Sequence, residues 1–178
     1  GVQAAMMMAR LSAEAKFCLA TEPRPGQAMN RLNDRLCLLQ IDRFVTMVIL
    51  VLDPRTHQVT IVNAGHMPPI WRHADGTVDE PGRDISSMAL GIVPGIEYLE
   101  AVISLGPGES LTMYTDGVTD ATDANGKDFQ ARRILEHVKN ARRSAHDLGQ
   151  AIVSDLQQFI GSHPQTDDIC LVCVARVA

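Results

Sequence analysis

Aromatic side chains are scarce in this sequence: 4% of its 178 residues, with Trp71 the sole tryptophan. The core must therefore come mainly from aliphatic side chains, and a 46% hydrophobic content over one domain's length supplies enough of them. Basic residues are not in excess. There are 16 Lys and Arg against 21 Asp and Glu, a net charge of −5. Nucleic-acid binders usually present a basic face, so nucleic acid is not an expected partner. No apolar run reaches the roughly 18 residues that a bilayer span requires, so no membrane segment is expected. Phe44 to Leu52 is too short for one and reads as a buried strand. The first residues lack the basic lead and cleavage site of a signal peptide and read instead as an amphipathic helix. Repeats, linkers and low-complexity tracts are absent.

Cysteine is also sparse, with four residues: Cys18, Cys37, Cys170 and Cys173. Cys170-x-x-Cys173 has the spacing of a redox or zinc pair. It falls, however, inside a strand-like run, Ile169 to Val177, where residues three apart face opposite sides. A zinc knuckle would also need a turn and a second ligand pair, which Cys18 and Cys37 do not supply. All four are expected to be buried, reduced, structural thiols, as befits a cytoplasmic protein.

What the chain does have is acid at two strand ends. Leu111, Met113 and Thr115 alternate with Thr112, Tyr114 and Asp116, which predicts a short strand closing on Asp116-Gly117. Glycine after a terminal carboxylate tolerates a turn and lets a ligand come close, although Asp-Gly is also an ordinary turn. Near the other end, Asp167-Asp168 opens an apolar strand-like run. If the two strands are adjacent, these carboxylates converge, and converging carboxylates repel unless a cation lies between them. Oxygen-only donors favour Mg²⁺, Mn²⁺ or Ca²⁺ over zinc.

The remaining elements follow from period and punctuation. Helix is predicted over Gly1 to Ala20, with Met6, Met7 and Met8 packed in the core, and over Gln27 to Gln40, with Leu32, Leu36 and Leu39 on one face. Phe44 to Leu52 and Gln58 to Val62 read as a hairpin about Asp53-Pro54-Arg55-Thr56. Ile70 to His73 and Tyr98 to Leu105 read as strands, and Trp71 as a half-buried anchor. Val118 to Asn125 reads as a turn or short helix. Asp120 and Asp123 within it are expected to be solvated, with an outer-shell role near a cation as the alternative. Helices are predicted over Phe129 to Asn140 and, capped by Ser144, over Ser144 to Ile160, with Leu148, Ile152, Leu156 and Phe159 as the apolar stripe of the second. The cluster Arg132, Arg133, Lys139, Arg142 and Arg143 is expected to form a solvated face.

Five segments, in order, carry a resemblance: FVTMVILVLD, VTIVNAGHMPP, LGIVPG, GESLTMYTDGVTDA and TDDICLVCV. Together they resemble the SpoIIE-type branch of the metal-dependent PPM serine/threonine phosphatases, across most of the chain. The resemblance implies an α/β fold, the αββα sandwich of two mainly antiparallel sheets flanked by helices. On this resemblance it would be N-terminally truncated here, because the family's opening strands and their metal-bridging Asp precede the motif in which this chain begins. Gly1 would belong to the turn after that Asp, and Gln3 replaces the usual proline. A fragment lacking that Asp is expected to hold a second ion poorly and to be nearly inactive.

The implied chemistry is hydrolysis of phosphoserine or phosphothreonine on a protein by two Mn²⁺ or Mg²⁺ ions. Asp116 and Asp167 are the implied metal ligands, Gly117 gives room beside the site, and Asp168 is the alternative ligand or an outer-shell partner. His66, in Asn-Ala-Gly-His-x-Pro, is a candidate substrate-binding residue, with a structural role as the alternative. The implied substrate is a phosphorylated anti-sigma-factor antagonist in bacterial partner-switching. An upstream sensory or receiver domain and a homodimer supported by the first helix are also implied. Two rival classes stand beside this reading: a catalytically inactive protein-binding relative and a small-molecule phosphohydrolase. The family usually has Phe-Gly where Phe129-Gln130 stands, so the loop packing there is expected to differ.

Overall fold

The computed structural model describes residues 2–39, 43–141, 144–165 and 167–177. The chain runs α1 (Val2–Thr21), α2 (Pro25–Cys37), β1 (Met47–Asp53), β2 (Gln58–Ala64), β3 (Ile70–Arg72), β4 (Val78–Asp79), β5 (Ala101–Ser104), β6 (Ser110–Tyr114), α3 (Asp116–Thr119), α4 (Ala131–Asn140), α5 (Ala145–Ile160) and β7 (Leu171–Ala175). It is a mixed α/β fold with two antiparallel sheets, ordered β1-β2-β5 and β4-β3-β6-β7. The chain divides into two units, one of residues 1–66 and 82–104, the other of residues 67–81 and 105–178.

In the first unit, Pro25 pre-sets the first turn of α2, where its missing N–H costs nothing. Leu32 and Leu36 are buried as the spacing predicts, and Leu39 packs beside them. They join Leu11 and Cys18 of α1 and Val62 and Ala64 of β2 in one core. The β1–β2 hairpin turns where expected, and Asp53 Oδ1 fixes the turn by accepting the Arg55 N–H at 2.8 Å. Buried Asn33 ties α2 to the loop beyond it, donating to the Val93 carbonyl at 2.8 Å and accepting from the Gly91 N–H at 2.9 Å. The predicted core role of the methionine run is not met: Met6 and Met8 are largely exposed, because the buried face of α1 is set by Leu11 and Cys18.

In the second unit, β6 lies between β3 and β7, with α4 and α5 on one face. Leu148, Ile152 and Leu156 of α5 are buried among Ile70, Tyr114, Phe129, Ile134 and Val138, with Phe159 partly buried beside them. Ser144 caps α5 by accepting the Asp147 N–H at 3.2 Å. Strand β5 is shorter than predicted and starts only at Ala101, because Tyr98 is drawn to α2: its N–H donates to Asn30 Oδ1 at 2.8 Å. The solvated-face expectation fails for Arg133. Its guanidinium pairs with Asp155 at 2.6 Å and lies 5.0 and 4.9 Å over the Phe129 and Phe159 rings. The readings made for Gly1, Gln40, Arg142 and Arg143 lie outside the described residues.

The thiols differ from expectation as well. Cys18 is buried, but Cys37 and Cys173 are only partly so, and Cys170 is exposed because β7 begins one residue after it. All four are free.

Candidate metal centre

The pairing of β6 with β7 is antiparallel, in the register Tyr114↔Leu171. The residue after Tyr114 therefore meets the residue before Leu171, and the pairing continues past both strands: the Thr115 N–H donates to the Cys170 carbonyl at 3.1 Å. The Thr115 hydroxyl then ties two points of the opposite segment. It donates to the Asp168 carbonyl at 3.2 Å and accepts the Cys170 N–H at 3.0 Å. Asp116 and Asp167–Asp168, 51 and 52 positions apart in sequence (167 − 116 and 168 − 116), are thus brought to the same end of the two-stranded ribbon. Sequence reasoning missed Thr115 as the clasp. The signal was a Thr as the last outward residue before the carboxylate, read only as part of an alternation.

Asp116 does more than end a strand. It opens α3, a single helical turn closed by the Asp120 N–H donating to the Asp116 carbonyl at 2.8 Å. Its own Oδ1 accepts the Gly117 N–H at 3.0 Å. Asp167 behaves similarly, with Oδ1 accepting the Asp168 N–H at 2.7 Å. Each carboxylate is thus held against the backbone by one oxygen. All three Asp residues are exposed. Among the described residues, none of them forms a salt bridge.

Gly117 is buried, and the space beside it is taken up by backbone rather than left open. A Cβ built there would run into the Asp168 carbonyl oxygen and lie 3.5 Å from the Asp167 carbonyl carbon. The glycine is needed for the two acidic segments to close on each other. Asp123 stays apart from this arrangement: its Oδ1 accepts the Asn125 and Lys127 N–H groups at 2.8 and 2.9 Å, a local turn that holds its carboxyl below the usual range. Asp120 is exposed and accepts the Thr119 hydroxyl at 3.0 Å. His66 belongs to the first unit. Its N–H donates to Asn63 Oδ1, and its carbonyl accepts from Asn63 Nδ2, both at 2.9 Å.

The donors at the ribbon end are hard oxygens, a set suited to Mg²⁺ or Mn²⁺. They fit one wall of such a centre. Among the described residues, no group of three or more His, Cys, Asp or Glu side chains could hold an ion by itself.

Three comparisons bear on this arrangement. The SiaA-PP2C domain of Pseudomonas aeruginosa superposes with a TM-score of 0.82 at 23% identity, covering 98% of this chain and 70% of that one. RsbX in complex with magnesium superposes with a TM-score of 0.65 at 19% identity, covering 92% of this chain and 71% of that one. These likenesses establish a PP2C-like fold. In sequence, the chain is 27% identical to the phosphoserine phosphatase RsbU of Bacillus subtilis, covering 99% of this chain and 52% of the relative. The chain spans about half or less of the length of the curated relatives it matches. The family model of Stage II sporulation protein E (SpoIIE) matches residues 1–177, and the chain belongs to that family.

Proposed function

We propose that this chain is the phosphatase module of a signalling protein, hydrolysing phosphoserine or phosphothreonine on a protein substrate with Mn²⁺ or Mg²⁺ held by Asp116 and Asp167. One observation carries the reading. Two carboxylate-bearing segments close on each other at one ribbon end, and no cation among the described residues neutralises them. Family membership and the likeness to a phosphoserine phosphatase support it. The substrate we propose is a phosphorylated anti-sigma-factor antagonist, with an upstream sensory or receiver domain as the source of input.

The divalent ions, when bound, supply an acidified water and positive charge against the phosphoryl oxygens. The chain's own residues provide the frame. Asp116 and Asp167 present carboxylate oxygens, each anchored by a backbone N–H, so little freedom is lost on binding a cation. The Thr115 hydroxyl keeps the β7 side of the site in register with the β6 side. Gly117 lets the two backbones meet. Asp168 lies at the same place and serves as the outer-shell partner. No thiol nucleophile is required, and burial pushes the Cys173 thiol up, away from reactivity.

The test is manganese-dependent release of phosphate from a phosphorylated protein by the full-length protein, repeated with Asp116→Asn. Activity unchanged by that substitution overturns the assignment, and faster turnover of a generic aryl phosphate than of the phosphoprotein redirects it to small molecules. The rival reading is a relative that keeps the fold and binds the same partner without hydrolysis. Phosphoprotein binding with no metal-dependent turnover by the full-length protein would select it.

A further inference from the structure

At the opposite end of the same ribbon from Asp116 and Asp168, the charge is reversed. Arg72, Ser110 and Ala175 stand in one row across β3, β6 and β7, in the register Arg72↔Ser110↔Ala175. Directly paired residues of antiparallel strands project to the same face, here the face that α4 and α5 cover. The end of the sheet, Ala141 after α4 and the start of α5 line an open cavity of about 370 Å³, whose walls include Arg72, Ser110, Arg176, Ser144, Ala145 and Leu148.

The two arginines are positioned but not neutralised. Arg72 donates through Nη1 to the His73 carbonyl at 3.1 Å, and Arg176 through Nη1 to the Leu105 carbonyl at 3.0 Å. Neither pairs with a carboxylate among the described residues. Arg72 Nε is fully enclosed and is the one buried side-chain nitrogen or oxygen without a hydrogen-bond partner among the described residues. Shielded from solvent and cavity alike, that N–H records how firmly the guanidinium is held, whereas Arg72 as a whole is half-buried and lines the cavity through its accessible atoms. Nearby acids do not neutralise it. Glu109 is engaged by Trp71 Nε1 at 3.0 Å and the Gly106 N–H at 2.8 Å, and Asp147 by the Ser144 hydroxyl at 3.0 Å. Ser144, the cap, and Ala145, the first residue of the 16-residue α5, form part of the wall, adding the positive end of a helix dipole.

We propose that this cavity binds a doubly charged oxyanion of the phosphate class, free or as the monoester of a small molecule, with Arg72 and Arg176 as its principal donors. The volume lies within the range of small-ligand sites. The proposal does not depend on the phosphatase reading. Phosphate could also gather at metal ions by the carboxylates, so the test excludes them. On the 178-residue chain in chelator, inorganic phosphate and glycerol phosphate are titrated separately against chloride at matched ionic strength, and amide chemical shifts are followed. Saturable shifts centred on Gly108, Ser110, Ala145 and Arg176 are expected, and the anion giving the lower dissociation constant identifies the source. Arg72→Gln and Arg176→Gln should each weaken binding about tenfold, the scale of losing a charge-assisted bond, while Asp116→Asn leaves it unchanged. Should either glutamine variant fail to fold, the wild-type shift map decides. Shifts centred on Gly117 and Asp168, no saturation, or binding indifferent to both arginine substitutions overturns the proposal.

Discussion

The two ends of the β6–β7 ribbon make an instructive pair. One end gathers Asp116, Asp167 and Asp168, and the other gathers Arg72 and Arg176. At neither end does the described protein supply the countercharge. A third charged place shows what a satisfied site looks like. The cleft of about 540 Å³ beside α4 is larger than the arginine cavity. There Arg133 is paired with Asp155 at 2.6 Å, His137 shares the same carboxylate at 2.9 Å, and two aromatic rings flank the guanidinium. Volume would favour that cleft over the arginine cavity, whereas unmet charge favours the ribbon ends. Charge held partly out of water without a partner is expensive to keep, so the half-buried arginines point to a ligand, whereas the exposed carboxylates of the acidic end are solvated and point to one through their convergence.

The largest effect should come from Asp116→Asn. It removes one anionic oxygen donor from the acidic end and should cut manganese-dependent phosphate release by the full-length protein roughly 100-fold or more, the upper range seen when even outer-shell groups at metal sites are lost. Anion binding at the basic end should be untouched. A variant that lost both would show the two ends to be one site, and the contrast drawn between them would collapse.

Gly117→Ala comes next, because it attacks the closure of the acidic end without changing charge. The added methyl would collide with the backbone carbonyl of Asp168, which cannot swing aside as a flexible side chain could. Overpacking of this kind costs about 1–3 kcal/mol. The urea midpoint should fall by a corresponding amount and metal-dependent activity with it, while Arg72 and Arg176 keep their geometry. An unchanged midpoint would show that the acidic segments do not meet as described.

How much of this could be read from the residues alone depends on range. The hairpin about Asp53, the apolar stripe of α5 and its Ser144 cap were legible, because each rests on local period or local hydrogen bonding. The possibility that two distant acidic ends converge was also legible, because a strand-closing Asp and a strand-opening Asp meet if their strands pair antiparallel. Thr115 as a clasp was not, since its role depends on the Tyr114↔Leu171 register. The arginine cavity was invisible for the same reason: Arg72, Ser110 and Arg176 come from three strands and their flanks, and only the register assembles them. The methionines failed in the opposite way. An apolar triplet on a helix spans about 200° of arc, so it cannot all face one core.

Gln130 offers a smaller, stabilising change that sharpens the comparison by leaving both ends alone. It precedes α4 at φ 66°, ψ 147°, a region close to one that is nearly exclusive to glycine. The neighbouring backbone holds it there: the Gln130 N–H donates to the Thr119 carbonyl at 2.9 Å and the Phe129 N–H to the Ala121 carbonyl at 2.8 Å. The glutamine that stands where Phe-Gly is usual therefore stores strain in this loop. Relieving about 1–3 kcal/mol of strain, against roughly 0.5–1 kcal/mol of extra unfolded-chain entropy, Gln130→Gly should stabilise by about 1 kcal/mol. Denaturant unfolding measures it, and a destabilised variant would mean the strain is absent.

The smallest effect is a pH dependence confined to the basic side. His73 follows Arg72 and bridges two carboxylates, with Nε2 2.8 Å from Asp79 Oδ2 and Nδ1 3.3 Å from Glu109 Oε1. The hydrogen bond to Asp79 raises its pKa above the ordinary 6.5, burial opposes this, and Glu109 adds to the rise. Burial pushes Glu109 up, but the N–H groups of Gly106, Trp71 and His73 more than offset it, so Glu109 stays ionised through this range. A histidine whose folded pKa exceeds its unfolded one contributes stability that is fully present below about pH 6.5 and disappears as pH rises through the folded value. His73→Gln should therefore lower the urea midpoint at pH 6 by more than at pH 8.5. An equal loss at both pH values would mean that His73 acts through packing against Trp71, whose ring centroid lies 4.1 Å away, and not through its charge.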